Sequence, residues 1–203
     1  MALPNILQSL VPACVAAWLL DLPKKQIDRV IDEGSLPSTL FTKQKNKRLI
    51  RAKGLAYMKF SALEKRRFSL AFRKDILARM VKADTLVWRE ANITVDLREI
   101  NAELMKRANV LHEVQAAVVE DVEILDGGPC LKGTRMPVYM VAAMKHEGAS
   151  VNELVKSYPS LSPSMIRNAC LFAEIFPKRG RPSIPVWRKN APIQRTRIPK
   201  VSG

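Results

Sequence analysis

Apolar and polar positions along the first forty residues alternate in short blocks. "PACVAAWLL" is an apolar run long enough for two helical turns, "DLP" interrupts it, and "KKQIDRVIDEGSLP" places Ile27, Val30 and Ile31 at helical spacing. Pro23 is expected at the first helical position and Gly34 just past the end of this second helix. The pattern predicts two helices joined by a tight turn, with Lys24, Lys25 and Arg29 on the outward side. "TKQKNKRLIRAKGLAYMKF" follows, polar at its centre and apolar at its flanks, as a wing-like hairpin requires.

Further along, "SALEKRRFSLAFRKDILARMVKA" (61–83) reads as one helix, with Leu63, Phe68, Phe72, Ile76, Leu77 and Met80 at three- and four-residue steps. "TLVW" and "NITVDL" read as short strands. A second long helix over 97–117 carries Leu97, Ile100, Leu104, Leu111 and Val114 as an intramolecular core stripe. From residue 119 the pattern restarts: a hairpin of alternating apolar residues, a helix beginning near Pro137, then "SVNELVKSYP" capped by Ser150. The last helix is capped by Ser162 with Pro163 in its first turn. It would present Ser164, Arg167 and Asn168, residue types that reach phosphates or base edges, although the same face also suits a second copy of the chain.

Charge sharpens this outline. The net charge is +15, and it sits in two islands. Residues 34–63 hold seven lysines and arginines and no acid, and residues 177–203 hold eight and no acid; the remainder is balanced. Two concentrated islands point to two anionic partners, or to two contacts with one. The first island adjoins the two-helix segment, so Lys24, Lys25, Arg29, Lys47, Arg48, Arg51 and Lys53 are the candidate DNA contacts. The second island, "PKRGRPSIPVWRKNAPIQRTRIPKVSG", holds five prolines and cannot build a core of its own. Ile184, Val186, Trp187, Ile193 and Ile198 among its charges point to an arm that folds onto a partner groove.

Catalytic chemistry finds little footing. Cys14, Cys130 and Cys170 lie far apart, as do His112 and His146, so neither a disulfide framework nor a metal-ligand spacing is present. The stretch "DGGPCLKGTRMPV" invites comparison with a phosphate loop, because Gly128 and Gly133 have the right separation. Thr134 and Arg135, however, stand where the lysine and hydroxyl belong. Its glycines are read as turn residues of a hairpin. Glu120, Asp121, Glu123 and Asp126 are read as solvated surface acids rather than a cation site. No catalytic residue, metal or cofactor is therefore expected. No apolar run reaches the ~18 residues of a membrane span, and the apolar start lacks a signal peptide's early positive charge. A cytoplasmic protein without membrane association is the expectation.

"VVEDVEILDGGPCLKGTRMPV", followed by "GASVNELVKSYPSLSPSMIRNAC", resembles the domain of unknown function 433 over about residues 118–174. That family shows an "ILxGxPxIxGTRxPV" hairpin and then a trihelical bundle with a "YPxLT" turn. The chain departs from it at Asp126-Gly127-Gly128, where the usual turn is shorter or carries a lysine or glutamate before the proline. It departs again at Ser162, where threonine is usual. Longer members with an N-terminal helix–turn–helix resemble VapB-type antitoxins of type II toxin–antitoxin pairs. That resemblance implies a PIN-domain ribonuclease toxin as partner, operator DNA as ligand, and neutralisation by a C-terminal extension. The toxin's metal-holding carboxylates would then face Arg179, Arg181, Arg188, Arg195 and Arg197, with Trp187 as the apolar anchor.

The expected fold is mainly α with short β-hairpins. A winged, MerR-like helix–turn–helix region occupies 1–117, a trihelical helix–turn–helix bundle 118–176, and an extended basic tail 177–203. The expected function is an antitoxin that autoregulates on its operator, as a homodimer or a larger toxin–antitoxin assembly. The alternative is a stand-alone transcriptional regulator whose tail binds nucleic acid.

Overall fold

An apolar helix and an amphipathic one stand near the start of the fold for the reason their sequences suggest. The computed structural model describes residues 10–44, 47–120 and 128–178; residues 1–9, 45–46, 121–127 and 179–203 lie outside the described residues. Helix α1 (Ala13–Leu20) buries Ala13, Val15, Ala16, Leu19 and Leu20 and ends at Asp21, which turns left-handed with φ 53°. Short polar side chains tolerate that conformation, so the break falls where "DLP" predicts it. Helix α2 (Lys24–Asp32) buries Ile27, Val30 and Ile31. Pro23 caps α2 from outside instead of occupying its first turn, a one-residue correction, and Gly34 takes φ 62° just past the end.

The basic stretch after α2 divides into strand and helix. Strands β2 (Phe41–Gln44) and β3 (Lys47–Arg51) pair antiparallel, with Phe41 opposite Ile50 and Gln44 opposite Lys47. An unexpected strand, β1 (Leu10–Pro12), joins the other edge of β3 and makes a three-stranded sheet. A helix the pattern did not predict, α3 (Lys53–Leu63), then begins within the supposed flank of the hairpin. Eight of its residues are buried on several sides, so it shows no amphipathic stripe to read. Gly54 is needed there: a Cβ would lie 3.1 Å from Leu40 Cβ and 3.3 Å from the Leu40 carbonyl oxygen.

The single helix expected over 61–83 is two. The chain leaves α3 at Leu63, and α4 (Leu70–Lys82) starts afresh at Ser69, whose hydroxyl accepts from the Phe72 amide at 3.2 Å. An N-cap of this kind competes with helix continuation, so a helical period alone joins what the serine separates. Leu63 is accordingly exposed rather than part of the core stripe.

Strands β4 (Val87–Glu90) and β5 (Ile93–Asp96) form the next hairpin, and α5 (Arg98–Ala116) follows with Leu104, Ala108, Leu111 and Val114 buried. The final segment pairs β6 (Val118–Glu120) with β7 (Pro129–Leu131). It then builds α6 (Val138–His146), α7 (Val151–Ser157) and α8 (Pro163–Ile175). Ser150 caps α7 and Ser162 caps α8, both as expected, and Glu153 closes a reciprocal capping box with Ser150 that the sequence reading did not name. Gly133 does supply a positive φ, of 78°, but in the tight turn after β7 rather than in the β6–β7 loop. Gly127 and the acids Asp121, Glu123 and Asp126 lie outside the described residues.

Buried side chains from Val11 to Ile175 form one continuous apolar cluster, so the N-terminal helices and the C-terminal bundle share a core. Helix α8 packs against α6 and α5, and α1 meets both α5 and α8. Among the described residues, no helix is long and apolar enough to cross a membrane.

Candidate nucleic-acid interface

The outward face of α2 repeats charge every four residues: Lys24, Asp28, Asp32. Side chains at that spacing stack along one helix face. Hairpin β2–β3 lies across it, and Arg48 of β3 bridges the two carboxylates. Its Nη1 stands 2.8 Å from Asp28 Oδ1, and its Nη2 donates to both Asp32 oxygens at 3.0 Å. The Asp28 contact is close but poorly aligned, an ion pair rather than a hydrogen bond, since Oδ1 is shielded and finds no well-directed donor. Lys24 donates to Asp28 Oδ2 at 2.6 Å, and Lys43 reaches Asp32 at 3.5 Å. Partial burial pushes the Asp28 carboxyl up, but Lys24 and Arg48 together outweigh it and hold the group below the usual carboxylate range.

Around this network lies an open cleft of about 940 Å³. Its walls are the start of α1 (Pro12, Ala13, Cys14), the α2 stripe, the hairpin residues Lys43, Gln44, Lys47, Arg48 and Leu49, and Phe176 from just beyond α8. Of the residues singled out by sequence, the structure brings Lys24, Lys47 and Arg48 to this cleft. Lys25 and Arg29 flank it on a shallower part of the α2 surface, where Arg29 Nε lies 3.8 Å from Glu33. Arg51 sits at the far end of β3, opposite Leu10 of β1. Lys53 is separated from the group: it pairs with Asp84 at 2.9 Å over a smaller pocket of about 230 Å³ that includes Tyr57 and Leu86. Among the described residues, Lys25, Lys47 and Arg51 make no ion pair and remain available to an incoming anion.

Ser164 and Arg167 are exposed and Asn168 is half-buried, and none of the three lines the cleft. Ser164 Oγ is 2.8 Å from Ser162 Oγ and so belongs to the α8 cap. Arg179, Arg181, Trp187, Arg188, Arg195 and Arg197 lie outside the described residues. Asp28, Asp32, Lys43 and Phe176 were missed in the sequence. The i,i+4 stripe on α2 was a usable signal for the first two; nothing local marks Phe176.

Residues 118–173 match the family described as "Protein of unknown function (DUF433)". The boundaries agree with the span drawn from the hairpin and bundle motifs. A relative, the "Uncharacterized protein y4eO" of Sinorhizobium fredii, is 31% identical over 186 residues, covering 85% of this chain and 84% of that protein. The chain belongs to the same family as y4eO. The likeness covers far more than the DUF433 segment, so it extends well into the residues that precede it. No solved structure matches.

Proposed function

We propose that the chain is a DNA-binding antitoxin of the VapB type: α2 and the β2–β3 hairpin engage operator DNA, and the arm 177–203 blocks a PIN-domain ribonuclease toxin. It acts by binding and not by catalysis. One observation carries the DNA part. The second helix of a tightly joined pair lies beside a lysine-bearing hairpin, and Arg48 fixes the two relative to each other. A helix start bearing Lys24 and Lys25 suits entry into a major groove, while Lys47 at the hairpin tip suits the flanking phosphates. The toxin part rests on the arm's eight basic residues and its apolar anchors, above all Trp187.

A stand-alone regulator is the second reading, favoured by one specific feature. Phe176, from which the arm departs, lines the same cleft as α2 and the hairpin. Both basic islands then address one polyanion.

The deciding experiment is co-purification of tagged full-length chain from its native host, with and without residues 177–203. A small acidic ribonuclease recovered with the full chain and lost with the arm supports the antitoxin. Nucleic acid alone, released steeply by salt, supports the regulator and rejects the toxin partner.

A further inference from the structure

Lys53 and Asp84 stand apart from the α2 network, and the pocket they border differs from the cleft there. It holds about 230 Å³ where three parts of the chain meet: the start of α3, the link from α4 into β4, and α5. Ala52, Leu86, Leu104 and Met105 supply an apolar lining. The Tyr57 hydroxyl is already spent, donating to the Thr85 carbonyl at 2.8 Å, so Tyr57 serves as wall. Among the described residues that line the pocket, Lys53 and Asp84 are the only charged ones. Lys53 Nζ donates to Asp84 Oδ1 at 2.9 Å and to Oδ2 at 3.1 Å, and both side chains are 72% exposed. The backbone beneath Asp84 is held: the residue turns left-handed with φ 48°, its amide donates to the Val81 carbonyl at 3.2 Å, and the Thr85 amide donates to the Met80 carbonyl at 3.1 Å. An ion pair this exposed contributes little by itself, so a ligand bearing both charges replaces it at small cost.

We infer that this pocket binds a free α-amino acid with an apolar side chain, such as leucine or methionine. The inference is independent of the DNA and toxin readings and stands if either fails. Size limits the occupant: the pocket lies below the ~300 Å³ at which sites for drug-sized ligands begin, so its ligand is small. Charge selects a zwitterion. The carboxylate of an amino acid meets the Lys53 ammonium, and its own ammonium meets the Asp84 carboxylate. The same pair disfavours other ligands: Asp84 repels a phosphate, and a residue inside a peptide carries neither charge. The apolar side chain then leaves water for Leu86, Leu104 and Met105, which is where the affinity arises. The flexible Met105 thioether adapts to branched and unbranched chains alike. Asn101 adds to the lining an amide able to donate or accept.

The test follows backbone amide NMR shifts of the full chain. Leucine, methionine, isocaproate, isoamylamine and glycine are each titrated to ~20 mM, since ligands this small bind weakly. Isocaproate is leucine without its ammonium, isoamylamine is leucine without its carboxylate, and glycine lacks the side chain. The expected result is saturable shifts at Asp84, Leu86 and Met105 for leucine and methionine, with each truncated compound at least about fivefold weaker. Asp84→Asn and Lys53→Gln should each weaken leucine by about fivefold as well. Asparagine tolerates the left-handed turn, so the first variant keeps the local backbone. No saturable shift for either amino acid overturns the inference, as does isocaproate or isoamylamine binding as tightly as leucine. Shifts that saturate only away from Asp84, Leu86 and Met105 overturn it too.

Discussion

Arg48 of β3 stands 2.8 Å from Asp28 of α2, joining two residues that lie twenty positions apart in the chain. The same guanidinium holds Asp32 one helical turn further on, so the hairpin is clamped to the polar face of α2 at two points. Both ends of the Asp28 contact are roughly a quarter exposed, which makes it stronger than a surface pair. Arg48→Met is expected to cost about 1 kcal/mol, a fall of ~2–4 °C in melting temperature for a chain of this size. A double-mutant cycle with Asp28→Asn, read by thermal melting, should show coupling; strict additivity would mean that the Asp28 contact contributes nothing.

The clamp also sets a pH dependence. Asp28 is held below its ordinary carboxylate value, so its stabilising contribution is present above about pH 4 and is lost as pH falls through the depressed value. Asp96 behaves alike and more strongly: its hydrogen bonds from the Arg98 side chain and backbone lower it to about 2. Carboxyl NMR titration should therefore find Asp96 still ionised at pH 3. Midpoints near 4 for both residues would contradict the geometry.

Gly54 brings α3 against the residue preceding the hairpin, and an added methyl must displace Leu40 or Ile50. Gly54→Ala should lower stability by about 1–3 kcal/mol, the range seen for overpacked cores, although alanine favours helix. Urea denaturation reads the loss directly. A variant more stable than the parent would show that helix propensity outweighs the contact.

Arg73 is buried at 4% exposure, and its Nη1 donates to the Ser61 carbonyl at 2.7 Å and to the Ser61 hydroxyl at 2.9 Å, at the end of α3. A guanidinium at a helix C-terminus faces the negative end of the helix dipole. Arg73→Leu leaves the Ser61 groups without their donor and is predicted to destabilise by about 1–3 kcal/mol. Adding Ser61→Ala should recover part of that loss, measured again by denaturation; no recovery would place the cost in packing alone.

Much of the helical outline was legible in the sequence because its signals are local. Ile27, Val30 and Ile31 mark the buried face of α2, and Ser150 and Ser162 cap their helices through bonds spanning three residues. The failures have separate causes. Helix α3 was hidden because burial on several sides erased its period, and α4 was fused to it because Ser69 reads as one more helical residue until its hydroxyl is seen capping.

The candidate site divides in the same way. Sequence by itself determined that positive charge is concentrated beside the two-helix segment and again in the last 27 residues, since charge and breakers are properties of the chain wherever it folds. Only the tertiary structure decided that Arg48 is spent on Asp28 and Asp32, that Lys53 belongs with Asp84, and that Phe176 brings the base of the arm to the α2 cleft. Those relationships join residues from 16 to well over a hundred positions apart. Separations of that size are closed by a shared apolar core, which no local pattern of side chains encodes.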